Sequence, residues 1–481
     1  MAKRKQAYAV DTSKRVHAFT DDALGTHDAV ALANLIRKGK LSATEVAQAA
    51  IARARSVADK LNAIEITAYD QALAQTHLPA RPGVFAGVPT FIKDNADLEG
   101  FPTRNGTRSY TPKVAEENGP YTAQYLAQGF TVLGKSQMPE FGFNASTEFE
   151  GEHPTRNPWN TDYSPGGSSG GSAALVAAGV VPIAHANDGG GSIRVPAACC
   201  GLVGLKPTRN RHLNNKAAQS MPINIVSEGV VTRSVRDTAY FHYGMETVYR
   251  NPKLKPIGKV EGPSQRKLRL GLVIDSITGT PTCPETRAVV EDVARLMEKL
   301  GHRVEPMQIG VPSSFIEDFT LYWSLLAFMM GSLGKLILGS DFDAQRLDPF
   351  TRGLVEQYRK NFWRTPAALW RLNRSAHLYA EMIKPYDAVL SPVLGHTVPR
   401  LGHLSPAQGY ESLMERLSRY IVFTPLNNAA GSPAIALPAG MSSDGLPIGV
   451  QFQAAHGEER TLLDLAYQLE AERPFKKIQA A

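Results

Sequence analysis

The chain has 481 residues, 43% of them hydrophobic and 20% charged, and a formal net charge of +7. That composition fits a globular protein of one large or two to three smaller domains and excludes a disordered or fibrous chain. The charge is mild for this length and no basic block interleaves with aromatics, which argues against nucleic-acid binding.

Lys3, Arg4 and Lys5 open a polar stretch of about 25 residues with no apolar core behind it, so no secretory signal is expected. Thr26 is the expected cap of a helix running to about Lys38. Ser42-x-x-Glu45 is a capping box that opens a second helix to about Ala58. Phe85 to Ile92 reads as an apolar strand that delivers Lys93 to a loop with Asp94 and Asn95. A helix from Tyr121 to Gln128, a stop at Gly129 and a strand from Phe130 to Leu133 set an α/β rhythm. Residues 170–179 predict a helix of small side chains. The longest nearly apolar stretch, 173–184, is too short for a bilayer and carries Gly179 and Pro182.

The rhythm repeats with a strand at 267–275, a helix at 285–299 and a strand at 303–308. Residues 312–383 change to longer, aromatic-rich helices. Within them, 352–374 mixes Arg352, Arg359, Lys360, Arg364, Arg371 and Arg374 with Phe362, Trp363 and Trp370, the pattern of a solvated amphipathic helix. Strands return at 387–391, 433–438 and 447–453, before a last helix at 458–472. The fold class read from this order is α/β, one interleaved core with the 312–383 helices as a cap. Three cysteines, Cys199, Cys200 and Cys283, make no disulfide framework and no metal-ligand spacing, so a reducing, cytoplasmic setting is expected.

The chemistry concentrates between Ser164 and Gly204, in SPGGSSGGSAALVAAGVVPIAHANDGGGSIRVPAACCGLVG. Ser168 and Ser192 each sit among glycines. Glycine permits positive φ and close backbone approach, and it leaves backbone N–H groups unshielded for an oxyanion. Ser168 formally matches the G-x-S-x-G nucleophile elbow, but Pro165 and residues 160–163 do not form the strand that elbow requires. A phosphate-binding loop fails for want of a Gly-Lys-Ser/Thr ending. Asp188 and Arg194 flank Ser192 as an ion pair that fixes the loop. For a base, His185 is near in sequence but reads as a structural histidine at the end of an apolar run. Lys93, at the end of a buried strand, can lose its charge by desolvation and act as one.

Several blocks in order then carry a resemblance: GVPTFIKDN at 87–95, GFTVLGKSQMPEFG at 129–142, the two Gly/Ser blocks through GLVGLKPT at 208, FTPLNNAAGSPAIALPAG at 423–440, and GLPIGVQFQA at 445–454. With them goes the spacing of 24 between the serines (192 − 168). The chain is identified as resembling the amidase signature family, the Ser–cis-Ser–Lys hydrolases.

The resemblance implies a single α/β/α sandwich over 1–481, with a central mixed, twisted sheet. Its core would lie at about 26–260 and 385–475, and its helical cap at about 312–383. It implies Ser192 as nucleophile, Ser168 on a cis peptide as relay and Lys93 as base. The oxyanion hole would come from the N–H groups of Gly189, Gly190, Gly191 and Ser192, with Ser169, Asp188 and Arg194 in support. It implies no metal and no organic cofactor. The expected substrate is a small apolar linear or aryl amide, ester or carbamate, with no nucleic-acid or membrane partner and homodimerisation allowed.

One departure stands out. Where many members read Thr-Asp-x-Gly-Gly-Ser, this chain has Asn187 and a third glycine, Gly189. That variant resembles the branch of cyclic nylon-dimer hydrolases and of aryl-amide and carbamate amidases, and Gly189 is expected to widen the acyl site. A cyclic-amide hydrolase and a subunit of a tRNA-dependent amidotransferase are the alternatives; intact Lys93, Ser168 and Ser192 argue against an inactive scaffold.

Overall fold

A computed structural model describes residues 12–78, 82–277 and 279–480. Lys3, Arg4 and Lys5 lie outside the described residues. The strands in chain order are β1 (Ile64–Thr67), β2 (Pro89–Lys93), β3 (Thr131–Ser136), β4 (Ile183–Asp188), β5 (Val203–Lys206), β6 (Ser227–Thr232), β7 (Arg269–Leu272), β8 (Arg303–Pro306), β9 (Ala388–Pro392), β10 (Ala434–Met441) and β11 (Pro447–Gln453). Eight of them form one mixed sheet in the order β4-β6-β5-β10-β11-β9-β7-β8, and the other three form a small sheet β1-β3-β2. Residues 261–311, outside the expected core ranges, supply β7 and β8 to the large sheet.

The two sheets meet at β2 and β4 through side chains instead of a backbone ladder. The Thr90 hydroxyl donates to the Ile183 carbonyl at 3.0 Å, and the Lys93 N–H donates to His185 Nδ1 at 3.2 Å.

Side-chain alternation along the strands separates two apolar layers, as the two-residue period requires. Val203 and Leu205 of β5 face a core closed by helices Val235–Val248, Pro284–Lys299 and Glu459–Glu472. Gly204, between them, faces the other side, where a Cβ would stand 2.7 Å from Ala197 Cβ. The missing side chain lets helix Arg194–Cys200 lie directly on the sheet, just behind Ser192.

Local differences from the sequence reading have physical causes. The first helix, Ala29–Arg37, is capped by Asp28, not Thr26. Asp28 accepts the Ala31 N–H, and Asp237 from a distant helix accepts those of Ala29 and Val30. The Ser42–Glu45 capping box forms as expected, and its helix runs on to Leu61. The strand expected at 85–92 is β2, four residues later at its start, because the Val88 N–H turns back to the Phe85 carbonyl and Gly87 takes φ +78°. Lys93 is therefore the last residue of a strand, held in register, and not a loop residue.

The cap comprises helices Phe315–Ile337, Pro349–Asn361, Thr365–Asn373 and Ser375–Ile383. By length and composition, Phe315–Ile337 could cross a membrane. It packs against the next two cap helices, with Arg371 of one paired to its Asp318 at 2.6 Å. The amphipathic stretch 352–374 divides between two helices, and in it Phe362, Trp363 and Trp370 are exposed while Arg371 pairs with Asp318.

Candidate active site

Between Tyr163 and Thr208 every residue is buried except Gly189, Gly190, Ser192 and Gly201. Gly201 ends helix Arg194–Cys200 and packs against Pro447 and Trp159. The other three form the opening of the site. A Cβ on Gly189 would meet only Val226 at 3.5 Å, and one on Gly190 only the Phe319 ring at 3.8 Å. Phe319 belongs to the first cap helix, so that helix walls the opening. Tyr322, one turn on, locks this wall to the segment before β6. Its hydroxyl donates to the Ile223 carbonyl at 2.5 Å and accepts the Ile223 N–H at 2.9 Å.

Lys93 is completely buried, and its Nζ donates to Ser168 Oγ at 2.7 Å and to Asn187 Oδ1 at 2.7 Å. Burial brings its ammonium down from the ordinary lysine value to about 7, against the opposing pull of Glu228 and Asp188. The Gly167–Ser168 peptide is cis. Ser168 and the N-cap residue Ser169 lead into helix Gly170–Ala177, which is tied to its surroundings by Ser172: this hydroxyl donates to the His185 carbonyl at 2.7 Å and shares a hydrogen bond with Ser136 at 2.7 Å. The Ser169 hydroxyl donates to the Asn187 carbonyl at 3.3 Å.

Asp94, next to Lys93 in sequence, is not its partner. Asp94 pairs with Lys135 at 2.8 Å and accepts the Arg104 N–H. His185 is occupied at both ring nitrogens. Nδ1 accepts the Lys93 N–H, so Nε2 carries the hydrogen and donates to Glu228 at 3.0 Å. A histidine so placed has no lone pair for a serine. A second fully buried lysine, Lys206, is also lowered to about 7, by burial and by Arg194, but it donates to the Pro207 carbonyl and to Ser227, not to Ser168 or Ser192.

The Asp188–Arg194 pair is wholly buried. Arg194 Nε reaches Asp188 Oδ2 at 2.9 Å and Nη2 reaches Oδ1 at 3.0 Å. Its remaining donors go to Asn427, Asn428, Gln451 and the Thr424 carbonyl. Burial opposes ionisation of Asp188, but Arg194 overcomes it and holds the carboxyl at about 2. Breaking such a pair leaves an unpaired buried charge. Arg194→Met is therefore expected to cost about 3–5 kcal/mol of stability, read from the denaturant midpoint.

Asp188 Oδ1 also accepts the Gly191 N–H at 2.7 Å. This corrects one expectation. The Gly191 amide is committed to the Asp188 carboxylate and is not free for an oxyanion. Gly191 is needed for another reason: its φ is +133°, and a Cβ there would meet Thr424 Oγ1 at 2.5 Å. Among the described residues no intramolecular acceptor meets the N–H groups of Gly189, Gly190 or Ser192. Ser192 is in the opening, and among the described residues its hydroxyl makes no hydrogen bond with Ser168. The structure thus joins Lys93 to Ser168 directly and leaves Ser192 among the partly exposed residues of the opening.

Sequence reasoning named Asn187 only as a departure from the family pattern. Its side chain is the second acceptor for Lys93, a role signalled by the two-residue period that puts His185 and Asn187 on the same side of β4. Thr424 and Asn428 lie within the block at 423–440, where nothing local signals a role.

Known proteins resemble this chain along nearly its whole length. The amidase family profile matches residues 45–463. A Mycobacterium leprae protein bearing the name amidase AmiC is 48% identical over 97% of this chain and 99% of its own length. The 6-aminohexanoate-cyclic-dimer hydrolase of a Pseudomonas strain is 34% identical over 93% of this chain and 95% of its own. Among solved structures, a 6-aminohexanoate cyclic dimer hydrolase superposes with a TM-score of 0.86 at 30% identity, covering 96% of this chain and 100% of that one.

Proposed function

The chain belongs to the amidase signature family, hydrolases acting on amides, and on that premise we propose that it cleaves the carbon–nitrogen bond of apolar linear or aryl amides through an acyl-enzyme on Ser192. The observation that carries this reading is the buried Lys93 amine, lowered to about 7 and 2.7 Å from Ser168 Oγ.

In the proposed path, Ser192 Oγ attacks the carbonyl carbon. Its proton passes to Ser168 Oγ as the Ser168 proton passes to neutral Lys93 Nζ. The negative charge on the carbonyl oxygen is met by the N–H groups of Gly189, Gly190 and Ser192. Collapse expels the amine, which takes the proton back from Lys93 through Ser168. Water then releases the acid by the same relay run a second time. An amine leaves poorly unless protonated, so a base that returns its proton suits amides. Asn187 supports this role: it accepts one N–H of Lys93 and holds the amine beside Ser168.

Phe319 and Val226 beside the two glycines favour an apolar acyl or leaving group. Esters and carbamates fit the same path, and cyclic amides fit the open floor at Gly189.

The test is a hydrolysis screen across p-nitroanilides, p-nitrophenyl esters, carbamates, cyclic amides and glutamine. Turnover of apolar anilides with none of glutamine supports the proposal; turnover of glutamine alone sinks it. Gly189→Val probes the acyl site. It is expected to lower kcat/KM about 10-fold or more on bulky anilides and to leave acetanilide-sized ones within about threefold, since pocket discrimination of a methylene or two is worth about 1–3 kcal/mol. Equal losses on both would remove Gly189 from the specificity argument.

A further inference from the structure

Three consecutive glycines are a poor way to hold two amides in one direction, because glycine loses more conformational freedom on ordering than any other residue. An oxyanion site works only if its donors are oriented before charge develops. The structure contains a device that does this, and it comes from more than 230 residues away in sequence. Thr424 is fully buried, and its hydroxyl donates to the Gly190 carbonyl at 2.6 Å. Asn428, one turn further on, donates from Nδ2 to the Asp188 carbonyl at 2.8 Å. Its amide cannot be reversed, because its Oδ1 accepts from Arg194 Nη2, a group that can only donate, at 2.8 Å.

In a trans peptide the C=O and N–H bonds point in opposite directions. Holding the Asp188 carbonyl toward Asn428 therefore turns the Gly189 N–H the other way. Holding the Gly190 carbonyl toward Thr424 turns the Gly191 N–H into the Asp188 carboxylate, where it is found at 2.7 Å. The peptide between these two, which carries the Gly190 N–H, is fixed at both ends. The segment is itself secured, since Arg194 Nη2 donates to the Thr424 carbonyl at 3.0 Å.

We propose that Thr424 is a positioning residue for the oxyanion site, its hydroxyl acting with the Asn428 amide to hold the peptide planes on both sides of the Gly189 and Gly190 N–H groups. Thr424 touches no substrate; it acts through the Gly190 carbonyl. This inference rests on the reading of Ser192 as nucleophile and of these amides as oxyanion donors.

The experiment compares Thr424→Val, which keeps the shape and removes the hydroxyl, with Thr424→Ser, which keeps the hydroxyl. Kinetics are measured on a p-nitroanilide that the wild type hydrolyses, with inhibition by an aryl boronic acid as the probe of a charged tetrahedral adduct and Tm as the fold readout. Thr424→Val is expected to lower kcat by about 10- to 100-fold, somewhat below the loss of a whole oxyanion donor. KM is expected to change less than about twofold, and boronate inhibition to weaken by the same factor as kcat. Thr424→Ser is expected to recover kcat to within about threefold of wild type.

Equal losses in the two variants, a loss confined to KM, or boronate inhibition that does not follow kcat would overturn the proposal. If the valine variant does not fold, Thr424→Ala takes its place with the same outcomes. Ser192→Ala on the same anilide separates the two levels. Hydrolysis that persists in it overturns the underlying reading, whereas Ser192-dependent hydrolysis with a wild-type-like Thr424→Val overturns this inference alone.

Discussion

Ser192→Ala is expected to lower kcat on every hydrolysed substrate by about 10⁴-fold or more, with Tm unchanged. The size follows from losing the nucleophile of a covalent path. What remains is whatever the oriented amides and substrate binding provide, and in serine hydrolases that remainder is small. The unchanged Tm follows from position. Ser192 is one of four residues between Tyr163 and Thr208 that are not buried, and its hydroxyl supports no other group among the described residues. The measurement is steady-state turnover beside a thermal melt. A burst of released p-nitroaniline in the wild type, absent in the variant, would show the acyl-enzyme directly. Turnover unchanged by the substitution would mean that the cleft uses another nucleophile.

Lys93→Met is expected to cost about 10³-fold or more in kcat/KM and to flatten the pH profile of what activity is left. In the wild type, kcat/KM is expected to rise with pH through about 7 and then level off. The sign follows from which form works: a base must be neutral, and below about 7 the buried amine is protonated. The profile alone cannot name the residue, because Lys206 titrates near the same pH. The variants can. Lys206→Met should keep the rise near 7, since Lys206 has no hydrogen bond to Ser168, whereas Lys93→Met should abolish it. If the rise survives in Lys93→Met, the base is elsewhere. His185 is a poor substitute, since both its ring nitrogens are engaged and burial lowers its pKa further.

Much of the site was legible in residue order. Ser42 and Glu45 formed their capping box because every atom involved lies within one helical turn. The small-residue helix after Ser168 appeared as Gly170–Ala177 because its composition allows close packing and little else. The Asp188–Arg194 pair formed as expected because it spans a single turn of chain beside Ser192.

What sequence reading missed depends on distant neighbours. Asp28, itself a preferred capping residue, caps the first helix in place of Thr26, and Asp237, about two hundred residues away, takes the first two amides. The aromatics Phe362, Trp363 and Trp370 are exposed, and Arg371 pairs with Asp318 of another helix.

The same division runs through the active site. The sequence by itself determined which groups are available: two serines among glycines, bare backbone amides, and a lysine closing an apolar strand. Those are properties of residue type and of permitted φ and ψ, and they travel with the chain. Only the tertiary structure decided what state those groups are in. It buried Lys93 completely and brought its amine down to about 7, gave it Asn187 as a second acceptor, committed the Gly191 amide to Asp188, and held the Gly190 carbonyl from Thr424. Desolvation and the allocation of hydrogen bonds are set by whatever packs against a group, and here that comes from segments 234 and more residues apart in the chain.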